Sequence, residues 1–459
     1  MSPASPQSSA TPHSPSSGIP APNATARSAG LDAATPAARA PRRAADWAAT
    51  RRRWVPDFVA KIVFGRPLPP DREEWQRVLA ALRQGDAPMD AVVDWMFAAG
   101  PRQAKALFEQ ALTRGIDTID NPPAPLADFF RLIDNPPPWL DRALVEEGAL
   151  AAQTSGYVGF YVLRDMALMG GYAYFSSFNQ VLAATGSLHR DVALRLGETG
   201  KWLNDVTATG GLERFGEGFL TTIRVRMVHA LVRRHLRGHG NGNSEWDEDT
   251  WGVPINQIDM LATYLAFGPV TLLGVRTFGV PVLPRDSRAA MHMWRYIGWL
   301  SGVREEWLAL TERDGLRKLY HTFLTHRLPD EKIGLLGSAL RDQPLTQQLP
   351  ELDGHPRLAW LKRRYLYQKH ISNSALIMLP RQRRQLGIPF YALPWYPLAT
   401  APFRFIQLGY YRLRGGEVLA GFSRRSREKQ YRLLQSYFAG RDVDIIRPDA
   451  THPASIERG

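Results

Sequence analysis

The sequence of 459 residues has no cysteine. That excludes disulfides, thiolate zinc sites, iron–sulfur clusters and covalent haem attachment through Cys-x-x-Cys-His. Acids are also scarce: 44 Asp and Glu against 57 Lys and Arg leave a net charge of +13. Part of the excess sits in residues 1–53, with seven arginines and two aspartates. Much of the rest follows Lys362, in Lys362–Arg363–Arg364 and Arg381–Gln382–Arg383–Arg384. No nucleic-acid-binding motif accompanies this charge, so no nucleic-acid partner is expected. No stretch approaches eighteen clean apolar residues, so no spanning helix is expected. Arg42–Arg43 looks like a twin-arginine export signal, but Pro56, Asp57 and Lys61 interrupt the apolar run that should follow. A cytoplasmic location is therefore expected, with possible membrane association.

Further chemistry is missing. There is no Gly-x-Ser-x-Gly nucleophile elbow, and Gly200–Lys201 lacks the upstream glycine and following Ser or Thr of a phosphate loop. His235 and His239 have metal-ligand spacing, with Glu245, Asp247, Glu248 and Asp249 nearby. The break at Gly238 spoils their i, i+4 geometry, and the acids read as a solvated loop. His321 and His326, five apart, read as surface residues.

The composition, 44% hydrophobic and 22% charged, is that of a globular protein large enough for a substantial core. Nothing alternates with period two for long. Apolar residues at helical spacing predict helices over Asp71–Leu82, Met89–Ala99, Gln103–Thr113, Leu140–Ala152 and Val158–Met169, the last ending at Gly170–Gly171. Further helices are predicted from Ser187 past Val206, then over Glu217–Arg237, Asn256–Phe267, Asp286–Ser301, Glu305–Arg313, Leu316–His326 and Asp330–Leu340. After about 380, prolines interleaved with aromatics predict an extended arm, or a surface that meets lipid, rather than a long helix. A last helix is predicted over Ser426–Phe438. The fold class is all-α: a single large helical domain with a globin-like or bundle-like core. Its layout is a disordered Ala/Ser/Pro/Arg-rich tail (1–50), the helical domain (51–425), and a C-terminal helix with polar tail (426–459).

One histidine stands out. On the Glu217–Arg237 helix, Val225, Arg226, Val232 and Arg233 surround His229 on one face. A neutral imidazole can hold a metal or haem iron. Two arginines beside a buried histidine would need anions, for which haem propionates are suitable. Spacing alone favours the plainer reading, a surface helix whose arginines face water. On the preceding helix Arg195 and Thr199 share a face with Val192, Trp202 and Val206. They suit either a polar pocket beside aromatic bulk or an ordinary surface pair.

The order Arg195-x-x-x-Thr199, then His229 thirty residues later, resembles the rubber oxygenase family. That family includes latex-clearing proteins and the oxygenase that shortens the prenyl side chain in mycophenolic acid synthesis. The similarity runs over residues 150–300, and Arg226 and Arg233 match basic positions beside the family histidine. Two positions depart from latex-clearing proteins: Glu198 stands where they carry a lysine able to ligate iron, and Asn179 lies near the place of their glutamate. The resemblance implies a non-covalent haem b with His229 as its iron ligand. It implies propionate or helix-supporting roles for Arg226 and Arg233, and a distal pocket shaped by Arg195, Thr199 and Glu198. It further implies dioxygen and a lipophilic, isoprenoid-like substrate cleaved at a carbon–carbon double bond. Alternatives are a family member oxidising a different metabolite, or a non-catalytic haem- or lipid-binding protein. Between Glu198 and Arg195, at i−3, an ion pair is expected.

Overall fold

The first turn of the first long helix shows how local sequence sets the architecture. Helix α1 (Arg72–Ala81) begins at Asp71, whose carboxylate accepts from the Glu74 amide while the Glu74 carboxylate accepts from the Asp71 amide. Two otherwise orphaned donors are satisfied reciprocally. The structure, a computed structural model, describes residues 40–50, 65, 67–185, 192–238, 246–326 and 330–438. The expected tail up to residue 39, the Trp54–Lys61 run, Ser187 and His239 lie outside these residues.

Helices α2 (Ala87–Ala99), α3 (Pro101–Arg114) and α4 (Ala124–Asp134) close around Phe108, Phe129 and Phe130, whose ring centroids stand 5.4–6.5 Å apart. Then come α5 (Arg142–Ser155) and α6 (Tyr157–Val162), which passes through a π-helical segment, Leu163–Leu168, into α7 (Met169–Tyr174). The expected break at Gly170–Gly171 does not occur. Both glycines are buried inside the helix, one against Ile377 and the other against the Phe178 ring.

Helices α8 (Ser176–Ala184), α9 (Val192–Val206) and α10 (Glu217–Leu236) form the centre. Asn256 caps α11 (Gln257–Leu265), which continues through a π-helical segment, Ala266–Val270, into α12 (Thr271–Thr277). This Gln257–Thr277 rod of 21 residues is apolar enough to cross a membrane, but its most apolar window is 67% buried inside the protein. It reads as a core helix.

Helix α13 (Pro284–Leu300) packs on α5 so tightly that a Cβ on Gly148 would meet the Ala289 carbonyl. Residues 305–313 are not the predicted helix. Glu305–Trp307 is a single 3-10 turn, and Thr311, accepting from the Asp314 amide, starts α14 (Glu312–Phe323) afresh. Next come α15 (Glu331–Thr346), α16 (Pro356–Ala375) and the short α17 (Pro380–Gln385).

The predicted extended arm is instead a helix, α18 (Trp395–Leu413), followed by α19 (Gly416–Phe438). Pro394 and Pro397 occupy the cap and first turn, where no intrahelical N–H is required, and only Pro402 removes an interior bond. No strand occurs among the described residues.

Arg42 and Arg43 belong to this folded body. Arg43 is buried against Asp259 and donates to the Trp251 carbonyl, and Arg42 pairs with Asp247.

Candidate functional site

Helices α9 and α10 run antiparallel, and a single hydrogen bond fixes which faces meet. Trp202 Nε1 donates to Thr222 Oγ1 at 2.9 Å, while the indole ring packs edge-on against Phe267 at 5.1 Å. Near this bond the backbones nearly touch, since a Cβ on Gly218 would lie 2.6 Å from the Asp205 carbonyl. Seven residues further along each helix, two turns away on the same faces, stand Arg195 and His229.

His229 Nδ1 is buried with no hydrogen-bond partner. Burial, reinforced by the Arg233 charge and opposed only by Asp86, brings its pKa down to about 4. The ring is thus neutral near pH 7 and presents a free nitrogen. A neutral imidazole with an unpartnered nitrogen has the chemistry to accept a metal.

The flanking arginines are not the surface charges that spacing alone favours. Arg226 (4% exposed) and Arg233 (2%) are buried. Nor do they need an external anion. Arg226 forms a two-pronged pair with Asp86, at 2.6 and 2.8 Å, and donates to the Leu300 carbonyl. Its guanidinium lies 5.1 Å from the Phe129 ring centroid. Arg233 Nε lies 2.8 and 3.0 Å from the two Asp90 oxygens, and Nη1 donates to the Ile255 carbonyl. Asp86 and Asp90, one turn apart at the start of α2, are the anions. The arginines brace the histidine helix against α2.

Arg195 is different. Its Nη2 donates to the Tyr172 hydroxyl at 3.2 Å, and Nε and Nη1 are buried without partners. Burial raises the Tyr172 pKa, so its hydroxyl stays neutral. Among the described residues Arg195 pairs with no carboxylate. The expected Arg195–Glu198 pair does not form, because Arg195 turns toward α7. Glu198 is half-buried and Thr199 is exposed, so the Arg195–Thr199 face passes from interior to surface within one turn.

Helix α8 adds two features. Asn179 donates to the Gly171 and Phe175 carbonyls, leaving its Oδ1 buried and unpaired. Both ring nitrogens of His326 are buried and unpaired, its ring 5.0 Å from Phe175 and 6.2 Å from Phe178. Burial lowers the His326 pKa well below the usual value. His326 is therefore no surface residue, and neither is His321, whose Nε2 meets the Leu68 carbonyl at 3.1 Å. Helix α8 joins α10 through Val181, which packs with Leu236 and Val232.

The family described as "ER-bound oxygenase mpaB/B'/Rubber oxygenase, catalytic domain" matches residues 160–408, more than half of the chain. The chain belongs to the rubber oxygenase family. The rubber oxygenase of Streptomyces sp. strain K30 is 27% identical over 206 residues, covering 44% of this chain and 47% of the relative. The chain thus matches about half the length of that relative. A solved structure of latex clearing protein LCP in the closed state superposes with a TM-score of 0.55 at 18% identity, covering 76% of this chain and 91% of that one. It shares the all-α fold.

The rubber oxygenase match takes in a second polar cluster that the sequence did not reveal. Asp165, on the π-helical segment, is fully buried between Arg164 (2.6 Å), His370 Nδ1 (2.8 Å) and Asn373 Nδ2 (2.7 Å). Burial alone would raise its pKa; the His370 and Arg164 contacts hold it below the usual range. Burial and Arg164 in turn lower His370 to about 4, so its neutral ring donates Nδ1–H to the carboxylate. Beside it Lys369 donates to the Tyr161 hydroxyl, its pKa lowered to about 8 by burial. Arg164 and Asp165 interrupt an apolar run in the sequence, the one signal that marked this place.

Proposed function

We propose that the protein is a haem-b-dependent oxygenase that uses dioxygen to cleave a carbon–carbon double bond in an isoprenoid or other lipophilic chain. The observation that carries this reading is the unpartnered, neutral Nδ1 side of His229 on a helix braced by a buried ion pair and a half-buried one. Among the described residues no group of three His, Asp or Glu side chains converges, so a metal held by His229 would have to bring its other ligands with it. A porphyrin supplies them, and the lack of cysteine leaves non-covalent binding.

When bound, the haem iron would supply the oxygen chemistry. The protein's part follows from its own groups. His229 offers a nitrogen already deprotonated, so ligation does not compete with a proton near pH 7. Asp86–Arg226 and Asp90–Arg233 hold the helix that carries it. Arg195 offers two N–H donors that no carboxylate among the described residues pairs with, suited to orient a small polar or partly anionic oxygen species. Tyr172 fixes the direction of that guanidinium. Thr199 and Glu198, one turn toward the surface, would contribute a hydroxyl and an acceptor at the mouth of the site. Trp202, two turns along its helix from Arg195, forms with Phe267 and Trp294 an apolar cluster that would suit a lipophilic substrate better than a charged metabolite.

The test is oxygen uptake by haem-loaded protein given polyprenyl chains, with mass spectrometry of the products. Stoichiometric oxygen consumption with paired aldehyde and ketone fragments is expected. Haem-loaded protein that takes up no oxygen with any olefinic chain would overturn the reading.

A further inference from the structure

Helix α18 is apolar on the side that faces solvent. The side it buries carries Pro397, Leu408 and Arg404 (6% exposed), whose guanidinium donates to the Phe278 carbonyl and lies 5.2 Å from the Tyr396 ring centroid. The side it presents carries Trp395, Leu398, Phe403 (66%), Ile406 (71%), Tyr410 and Leu413 (89%), at helical spacing along its whole length. A helix facing water normally does the reverse. The stripe continues onto α16, where Tyr365 stands 6.5 Å from Trp395 and exposed Trp360 and Leu361 lie one turn earlier. Isolated exposed apolar residues need no explanation, but a contiguous patch of this size marks an interaction surface.

Charge identifies what covers it. Between residues 356 and 438 there are sixteen Lys and Arg against two acids, Glu417 and Glu428, so this stretch, under a fifth of the chain, carries as much positive charge as the whole net charge of +13. Arg357, Arg364, Arg381, Arg384 and Arg414 are exposed on the three helices that carry or flank the apolar stripe. A second copy meeting this face symmetrically would place one basic field against another. An apolar stripe of aromatics and leucines edged by arginines is instead the composition of a helix that lies in a membrane interface.

We propose that the outer faces of α16 and α18 form a docking surface for a lipid leaflet carrying anionic headgroups. Helix α18 would lie in the interface plane, its apolar residues among the acyl chains and the arginines at headgroup phosphates. This assignment rests on exposure and charge alone and stands apart from the oxygenase reading.

The experiment is flotation of the full chain with vesicles of phosphatidylcholine alone and of phosphatidylcholine with phosphatidylserine, at low and high salt. Light scattering of the lipid-free protein accompanies it. The chain should float with the anionic vesicles, and salt should weaken this binding. The double substitution Phe403→Asp/Ile406→Asp, on exposed positions, should reduce partitioning by about tenfold or more with unchanged circular dichroism. Arg381→Glu/Arg384→Glu should remove the preference for anionic lipid. No flotation with either vesicle, or equal flotation of the Phe403/Ile406 variant, would overturn the proposal. A dimer that the same variant dissociates would overturn it in favour of self-association.

Discussion

Replacing Asp86 by asparagine breaks the pair that holds the histidine helix to α2. Arg226 and Asp86 side chains are 5% and 2% exposed and share two short charge-assisted bonds. Without the carboxylate, the buried guanidinium keeps only the Leu300 carbonyl, the Phe129 face and one neutral amide oxygen. Stranding a buried charge in this way costs about 3–5 kcal/mol, a large share of the roughly 5–15 kcal/mol that holds a domain folded. Asparagine keeps the volume and one acceptor, so the lower end is expected. Adding Arg226→Met should recover most of the loss, because an apolar pair of similar volume often replaces a buried ion pair without penalty. Urea unfolding followed by far-ultraviolet circular dichroism reads both effects. Because Asp86 is the partner of Arg226, the double variant should still bind haem with full stoichiometry. A loss for Asp86→Asn below about 1 kcal/mol, the size of a surface pair, would refute the bracing role. A folded double variant without haem would assign Arg226 to the cofactor's propionates instead.

The remaining expectations concern pH, the distal residues and packing. His229 and His370 have folded pKa values near 4 against an ordinary 6.5, so the unfolded chain binds protons that the folded one refuses. Their contribution is present above pH 6.5 and lost as pH falls toward 4, at about 1.4 kcal/mol per pH unit for each histidine. His229→Gln should remove about half of that slope in urea titrations of the haem-free protein, and an unchanged slope would contradict the lowered His229 pKa. Arg195→Ala should keep its haem yet lose about tenfold or more in turnover, whereas Thr199→Ala, at an exposed position, should shift stability by no more than about 0.5 kcal/mol. Wild-type kinetics in Arg195→Ala would make that residue structural. Gly148→Val should cost at least about 1–3 kcal/mol, since the Ala289 backbone cannot yield as a side chain would, and native-like melting would argue against the close α5–α13 contact.

Sequence periodicity located most helices within a few residues because one apolar face of each meets the core, as in α2, α3, α5 and α10. It failed where that condition fails. Helix α16 is buried mainly toward its C-terminal end, as at Ile371 and Ala375, while Leu358, Trp360 and Leu361 near its start are exposed, so no buried stripe runs its length. Proline content suggested an arm where α18 is helical, because two of its prolines fall at the cap and first turn. His229 stood out in the sequence through the resemblance carried by its spacing to Arg195 and Thr199. The partners of its arginines were not, since Asp86 and Asp90 lie some 140 residues away, and nothing local marks a carboxylate as the mate of a distant guanidinium. His326 was read as surface because its cage, Phe175 and Phe178, comes from another helix.

The most direct test of the central claim is a pyridine haemochrome spectrum of protein reconstituted with haem b, with wild type and His229→Ala measured side by side. The account predicts one haem per wild-type chain. It predicts little or none in the variant, with the helical circular dichroism of the haem-free proteins unchanged. Full haem retention in His229→Ala would contradict it.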